Sequence, residues 1–167
     1  MRKRYWVNNI DVNKGHEVEL EVRKFLLKHS SIVDLTRHSW TELGFFTIKR
    51  YAKDDDEQFI TVIERLKKYL KNISVNSIRY GVNQGGKLYQ HYHFKLSKGM
   101  KNFFNKETLF WQMYPQQASS LFYGFEDPAF YIKKELLANI ITHKHTIYLH
   151  LTEKERKELE KKGICFD

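Results

Sequence analysis

The sequence predicts an α+β fold in which helices flank a central, mainly antiparallel β-sheet. Of the 167 residues, 41% are apolar and 15% are aromatic, which is too much hydrophobic material for a disordered chain. Segments with helical periodicity alternate with segments of strand character, and two strands are joined by a short glycine-containing turn. The chain holds two prolines and no Ser/Gly-rich linker, so we expect a single domain over residues 1–167.

The first half of the chain is predicted to form a helix, a strand and a second helix. Apolar residues recur at helical spacing over 18–29, although 18–22 also alternates like a strand. The segment 44–51 is rich in aromatic and β-branched residues, which favours a strand. The acidic run 54–57 can cap a following helix. The apolar stripe of that helix is Phe59, Val62, Ile63, Leu66 and Leu70.

A hairpin is predicted next, from strands over 74–83 and 87–96 joined by a turn at 84–86. Successive side chains of a strand point to opposite faces. The even positions 88, 92, 94 and 96 are apolar, with Gln90 among them, and form one face. The other face carries Tyr89, His91, His93 and Lys95.

The last third is predicted to hold a helix, a strand and a final helix. An aspartate can cap the helix over 127–141, and a proline can occupy its first turn. The segment 145–151 favours a strand. Thr152 and Glu155 form a capping box, which begins a polar helix that ends at Gly163.

Charge and cysteine content narrow the function classes. The 29 basic and 20 acidic residues give a net charge of +9. A basic chain rich in aromatics favours a nucleic-acid partner, because cations neutralise phosphates and aromatic rings stack on bases. No apolar run is long enough for a membrane span or a signal peptide, so we expect an intracellular protein in the cytoplasm of a host cell, without membrane contact. The single cysteine, Cys165, excludes an intramolecular disulfide.

Two groups of residues carry candidate chemistry. His91 and His93 share a strand face and can bind one divalent metal ion, although two such histidines can also be ordinary strand residues. Tyr131 and Lys134 are neighbours on the predicted helix, where an ammonium favours the nucleophilic phenolate. A second pair, His143 and His145, can be another metal site or an exposed strand end.

Together these motifs resemble those of the HUH endonucleases, and in particular the single-tyrosine replication initiators of rolling-circle plasmids and small circular-DNA viruses. The resemblance rests on the hydrophobic segment Phe45–Ile48, the triplet His91-Tyr92-His93 and the Y-x-x-K motif that begins at Tyr131. Phe45 precedes His91 by 46 residues, and His93 precedes Tyr131 by 38. The match covers about residues 40–151.

The resemblance implies a Rep-type sheet, ferredoxin-like or RRM-like, in a nuclease core over 41–151. Residues 1–40 then form an N-terminal extension and 152–167 a C-terminal helix. It also implies Mg²⁺ or Mn²⁺ bound by His91 and His93. Family members often add a carboxylate ligand from the preceding strand. Here that stretch offers only amides, so the third ligand is predicted to be Asn83 or Gln84.

By the same resemblance, Tyr131 attacks a DNA phosphate, forms a 5′-phosphotyrosine and releases a 3′-hydroxyl, with Lys134 beside the phosphate. The expected partner is single-stranded DNA or an origin hairpin. The chain has no phosphate-binding P-loop motif, so a host or separate helicase is expected, with a polymerase. The predicted DNA contacts are Lys49, Arg50, Lys95 and Lys133.

Three other functions remain open from the sequence. A transposase or relaxase would use the same metal and tyrosine chemistry in another biological role. A non-catalytic, basic nucleic-acid-binding module would keep His91 and His93 as ordinary strand residues. A two-histidine phosphoesterase is suggested by the triplet that begins at His150, but the matching triplet at His93 lacks the required hydroxyl.

Overall fold

Seven antiparallel strands form the central sheet of the computed structural model, which describes residues 1–10, 16–37, 40–44, 47–51, 57–79, 82–83, 89–106, 109–113 and 120–167. In chain order the elements are β1 (Lys3–Trp6), α1 (His16–His29), β2 (Ile32–Arg37), β3 (Trp40–Gly44), β4 (Thr47–Tyr51), α2 (Glu57–Leu66), β5 (Leu70–Asn76), β6 (Ile78–Arg79), β7 (Val82–Asn83), β8 (Tyr89–Lys95), α3 (Lys98–Lys106), β9 (Phe125–Ile132), β10 (Glu135–Ile141), β11 (Thr146–Leu151) and α4 (Glu153–Glu160). The order across the sheet is β1-β11-β10-β9-β2-β8-β5, and β3-β4 and β6-β7 are separate two-stranded pairs. The predicted fold class is confirmed.

Helices α1, α2 and α3 pack against one face of the sheet, which we call the helix face. Phe59 of α2 lies 6.1 Å from Tyr92 of β8, and Phe104 of α3 lies 5.4 Å from Phe130 of β9, measured between ring centroids. Arg23 of α1 donates a hydrogen bond to the Phe104 carbonyl at 2.9 Å. The buried aromatic rings of the helix face therefore form the core between the sheet and these helices.

Several predictions from local patterns are confirmed. Helix α1 replaces the strand alternative at 18–22, and in α2 the stripe residues Phe59, Val62 and Leu66 are buried. The capping box is present at the start of α4. The Glu155 backbone N–H donates to Thr152 Oγ1 at 3.3 Å, and the Thr152 N–H donates to a Glu155 carboxylate oxygen at 2.8 Å.

The predicted helix over 127–141 is wrong, because this segment forms the antiparallel hairpin β9–β10. Lys133 and Lys134 make its turn, and Lys133 has a positive φ of 56°. Each strand of the hairpin has a second partner, β2 for β9 and β11 for β10. These long-range backbone hydrogen bonds override the local capping pattern, and Asp127 occupies a strand irregularity with a φ of 50°.

The first 40 residues contribute β1, α1 and β2 to this architecture, and β2 lies between β8 and β9. The predicted pairing of the first hairpin is confirmed in direction, since β5 and β8 are antiparallel. Strand β5 ends at Asn76 rather than at residue 83, and β6 and β7 pair with each other. The predicted turn at 84–86 lies outside the described residues. None of the helices in the described ranges combines the length and the apolar character needed to cross a lipid bilayer.

Candidate functional site

The sheet surface opposite the helix face carries polar side chains near its centre, and we call it the polar face. Directly opposed residues on neighbouring strands point to the same side of a sheet. One cross-strand row on β9, β2, β8 and β5 is Ala129, Asp34, His93 and Asn72, and the next row is Glu126, Thr36, His91 and Ser74.

The prediction that His91 and His93 share a face is confirmed. Their ring centroids are 6.4 Å apart and their planes differ by 25°. The residue between them, Tyr92, is buried on the helix face against Phe59. Alternation along β8 therefore separates the two imidazoles from the core, as the sequence pattern indicates.

Asp34 contacts His91 on the polar face. His91 Nδ1 donates to Asp34 Oδ2 at 3.0 Å, and both residues are buried, with exposed fractions of 5% and 7%. Within the described part of the chain, His91 Nε2 and Asp34 Oδ1 have no hydrogen-bond partner. A carboxylate that holds one ring nitrogen in its protonated form leaves the lone pair of the other nitrogen available for a proton or a metal ion.

His93 is held differently from His91. Ser74 Oγ on β5 is hydrogen-bonded to His93 Nε2 at 2.9 Å, and the Asn76 side-chain amide lies 3.5 Å from the same Ser74 oxygen. His93 is half-buried, whereas His91 is fully buried. The two rings therefore share a face but differ in exposure and in their hydrogen-bond partners.

Tyr131 lies on the polar face as well, two residues along β9 from Ala129. Burial raises the pKa of the Tyr131 phenol to about 12, and the negative charge of Asp34 adds to this increase. Lys134 is exposed in the β9–β10 turn. The expectation that Tyr131 and Lys134 adjoin on a helix is therefore wrong, and the phenol keeps its proton at neutral pH.

Of the two candidate third metal ligands, Asn83 does not belong to the seven-stranded sheet. Asn83 is in β7, opposite Ile78 of β6. Gln84 lies outside the described residues. The strand that carries the two histidines is thus not extended by β7, and the amide-ligand prediction stays a prediction.

The predicted DNA contacts are distributed over three elements. Lys49 and Arg50 lie on β4, which pairs with β3. Lys95 is exposed at the end of β8 and shares the parity of the two histidines. Lys133 is exposed in the β9–β10 turn, where its backbone N–H donates to Ser31 Oγ at 3.0 Å. Of these, Lys95 belongs to the strand that carries the histidines.

A second group of potential ligands lies where β9 begins and β10 ends. One ligand atom each from Glu126, Asp127 and His143 lies within 4.8 Å of the others, so this group could hold a metal ion. The two carboxylates are 2% and 6% exposed, whereas His143 is exposed. Asp127 Oδ1 accepts hydrogen bonds from the Thr142 backbone N–H at 2.9 Å and from its hydroxyl at 3.1 Å.

Two features of these groups are not among the sequence-based predictions. One is the role of Asp34, although a charged residue inside the apolar run 32–35 of a strand is itself a sign of a polar function on one face. The other is the role of Asp127, which the local pattern predicts to be a helix cap. Asp127 lies near His143 because the hairpin brings the start of β9 next to the end of β10.

No protein-family model matches this chain, and the searches of curated proteins and of solved structures return no match.

Proposed function

We propose that this protein nicks and rejoins single-stranded DNA in a metal-dependent reaction that passes through a 5′-phosphotyrosine on Tyr131 and initiates rolling-circle replication. One observation supports the proposal most. Asp34 accepts a hydrogen bond from His91 at 3.0 Å, and its charge also acts on the Tyr131 phenol. An imidazole suited to a metal and the proposed nucleophile Tyr131, for which Asp34 can act as a base, therefore lie near one carboxylate on the polar face.

The residues fit a divalent metal ion at the histidines in one respect. His91 Nε2 is buried without a hydrogen-bond partner among the described residues, and Asp34 supports the opposite ring nitrogen, as carboxylates commonly do for metal-binding histidines. His91 and His93 would hold the ion, with Asn83 or Gln84 as the proposed further ligand. Bound Mg²⁺ or Mn²⁺ would polarise a phosphate oxygen as a Lewis acid.

The three ligand atoms of the Glu126 group provide a second place for the same ion. Hard cations such as Mg²⁺ and Mn²⁺ prefer carboxylate oxygens, and this group offers two carboxylates and an imidazole. Asp34 is the carboxylate that contacts the paired histidines, and it already accepts a hydrogen bond from His91. The choice between the two places is decided by experiment.

In the proposed reaction the Tyr131 oxygen bonds to phosphorus, and the 3′-oxygen of the preceding nucleotide leaves and takes up a proton. Because burial and Asp34 keep the phenol protonated, its proton must be removed as attack proceeds. We assign this proton to the Asp34 carboxylate, which later releases it to solvent, and the leaving 3′-oxygen takes up one proton from solvent. The new phosphodiester retains the energy of the broken one, so the released 3′-hydroxyl can reverse the reaction.

The DNA contacts of this proposal include exposed cations on the histidine strand and in the β9–β10 turn. Lys95 ends the histidine strand, and Lys133 and Lys134 project from the turn that follows Tyr131. Lys49 and Arg50 on β4 add to the net charge of +9. Binding is expected to weaken steeply as salt rises, because phosphate contacts release counterions. A separate helicase and polymerase would extend the 3′-hydroxyl.

The test is formation of a covalent adduct. The full chain is incubated with a labelled single-stranded DNA library and Mn²⁺, and a denaturing gel separates protein-linked label. Wild type should form an adduct that EDTA prevents. Tyr131→Phe should form none, whereas the matched variant Tyr123→Phe should react normally.

Three results would contradict the proposal. An adduct mapped to another tyrosine would refute the role of Tyr131. Binding of the library without any adduct in Mg²⁺ or Mn²⁺ would identify a non-catalytic nucleic-acid-binding module. A strong preference for hairpins from mobile-element ends over unpaired strands would instead favour a transposase or relaxase.

A further inference from the structure

The β1 end of the polar face presents an aromatic and cationic surface far from the histidines. Trp6 is directly opposite Tyr148 of β11, and Arg4 is opposite His150. The Arg4 guanidinium lies over the Tyr148 ring, 3.9 Å from its centroid. Tyr5, between Arg4 and Trp6, points to the other side and contacts Phe166, with ring centroids 5.8 Å apart.

These side chains are accessible. The Trp6 residue is 44% exposed, Arg4 is exposed, and Tyr148 and His150 are half-buried. Among the described residues no carboxylate pairs with Arg4, whereas its neighbour Arg2 is paired with Glu155 at 2.6 Å. An exposed tryptophan beside an unpaired guanidinium is suited to a planar, anionic ligand.

The surrounding charge is positive. Burial lowers the pKa of His150 below its ordinary value, and the nearby charges of Arg4 and then Arg2 lower it further. Burial disfavours a charge of either sign, so it is the positive charges of Arg4 and Arg2 that favour an anion here. The net charge of +9 extends this preference to the chain as a whole.

This surface is continuous with the proposed site. A single cross-strand row runs over all seven strands: Trp6, Tyr148, Asn139, Ala129, Asp34, His93 and Asn72. Neighbouring strands are about 4.8 Å apart, so Trp6 on β1 is about 14 Å from β9, the strand that carries Tyr131. A stacked strand covers that distance in about four nucleotides, at a rise of about 3.4 Å each.

We propose that Trp6 and Arg4 form a binding site for single-stranded nucleic acid, in which Trp6 stacks on a base and Arg4 contacts a phosphate. Tyr148 is a positioning residue that holds the guanidinium through its ring. The location of this site relative to the bond that is cut rests on the proposed function. The binding itself does not, because stacking and phosphate contact require no cleavage.

The test measures binding without chemistry. The full chain carrying Tyr131→Phe is titrated into a fluorescently labelled 15-nucleotide oligothymidine in EDTA, and anisotropy gives the affinity. Trp6→Ala should weaken binding roughly tenfold, since base stacking on an aromatic ring is commonly worth one to two powers of ten. Trp6→Phe keeps a ring and should restore most of the affinity.

Arg4→Ala should weaken binding and also reduce the slope of log affinity against log salt by about one phosphate contact. Lys3→Ala is its matched control, because Lys3 is exposed on the same strand with the opposite parity. Tyr148→Leu should reduce affinity less than Arg4→Ala and leave the salt slope nearly unchanged. Circular dichroism and thermal melting show whether each variant is folded.

The outcomes separate this inference from the proposed function. If Trp6→Ala and Arg4→Ala bind as tightly as Lys3→Ala, the inference is overturned whatever the adduct assay shows. If they bind more weakly while wild type forms no adduct, the nicking proposal fails and this site stands. The inference would also be overturned if wild type bound vesicles of anionic phospholipid as tightly as the oligonucleotide, and if Trp6→Ala and Arg4→Ala weakened both kinds of binding equally.

Discussion

The two candidate metal groups differ in how the backbone brings their ligands together. Asp34, His91 and His93 lie on the regular adjacent strands β2 and β8, where cross-strand pairing places them on one face. Glu126, Asp127 and His143 come instead from a strand irregularity and from the short helical turn after β10. Only the second group brings one ligand atom from each of its three members within 4.8 Å of the others.

The difference shows what regular strand geometry supplies. Positions two apart on a strand point the same way, but their rings are 6.4 Å apart here, and the neighbouring carboxylate is already bonded to one of them. A bulge interrupts the regular backbone pairing of a strand, so the side chains of consecutive residues can point toward one site. In the histidine group, Asp34 orients one imidazole for binding. The Glu126 group is the more complete ligand set, because three of its ligand atoms lie close together.

The two groups are also connected. Glu126 and His91 are both opposite Thr36, one on each side of it. Their α-carbons are therefore separated by about two strand spacings, roughly 10 Å. Substitutions in one group can be compared with matched substitutions in the other, on the same sheet and in the same assay.

The largest effect is expected from removing a metal ligand. His93→Ala should reduce Mn²⁺-dependent adduct formation by more than about 100-fold, because loss of a ligand exceeds the 10- to 100-fold effect of its supporting groups. His143→Ala should leave adduct formation within a few-fold of wild type. Quantitative adduct assays over a range of Mn²⁺ concentrations measure both.

The opposite pattern, with His143→Ala inactive and His93→Ala active, would place the functional ion at the Glu126 group. His16→Ala is the control for both variants, because His16 is exposed at the start of α1.

A smaller effect is expected from Asp34→Asn. The amide keeps the shape of the side chain but removes the charge that holds His91 Nδ1 in its protonated form. Affinity for Mn²⁺ should fall about 10- to 100-fold if His91 Nε2 is a ligand, as it does when supporting carboxylates are lost elsewhere. Isothermal titration calorimetry measures this. Unchanged affinity would contradict the assignment of the ion to His91.

How much the sequence could predict depends on the range of the interactions involved. The capping box of α4 and the apolar stripe of α2 are local. Both are correctly predicted, except that Leu70, predicted as the last residue of the stripe, begins β5 instead. The shared face of His91 and His93 follows from alternation alone. These features need no knowledge of distant segments.

The hairpin β9–β10 shows where local patterns fail. An aspartate followed by a proline is typical of a helix start, but β2, about 100 residues earlier, pairs with β9 along most of its length. Asp34 enters the candidate site through the same pairing. A single sequence does not reveal that residue 34 lies between residues 93 and 129.

A smaller difference between the two metal groups is expected in the free energy of unfolding. Thr142→Val keeps the buried volume of the side chain but removes the hydroxyl that donates to Asp127 at 3.1 Å. The free energy of unfolding should fall by about 1 kcal/mol, the usual value for one hydrogen bond. Urea denaturation measures this.

Thr146→Val is the control, because its hydroxyl donates to the Lys144 carbonyl at a more exposed position. Adduct formation should not change in Thr142→Val if the ion is bound by the histidines. A loss of Mn²⁺ dependence in this variant would connect the Glu126 group to the reaction.

The smallest expected effect is on the pKa of the Tyr131 phenol, the proposed nucleophile. Burial raises the pKa of Tyr131 from 10.0 to about 12, and Asp34 contributes less than burial does. Asp34→Asn should therefore lower this pKa but leave it above 10. Absorbance near 295 nm, taken as the difference between each protein and its Tyr131→Phe counterpart, follows the ionisation of this one residue.

The sign of the linked stability follows from the direction of the shift. Because the folded pKa is higher than the unfolded one, the neutral phenol contributes stability that is fully present below pH 10 and is lost as pH rises toward 12. Relative to Tyr131→Phe, the wild-type free energy of unfolding should decline across that window. Asp34→Asn should lower the upper pH limit of this decline, because it lowers the pKa of Tyr131 in the folded state. A decline that is the same with and without the Asp34 charge would show that this carboxylate does not act on the phenol, and would remove the link between the histidine group and Tyr131.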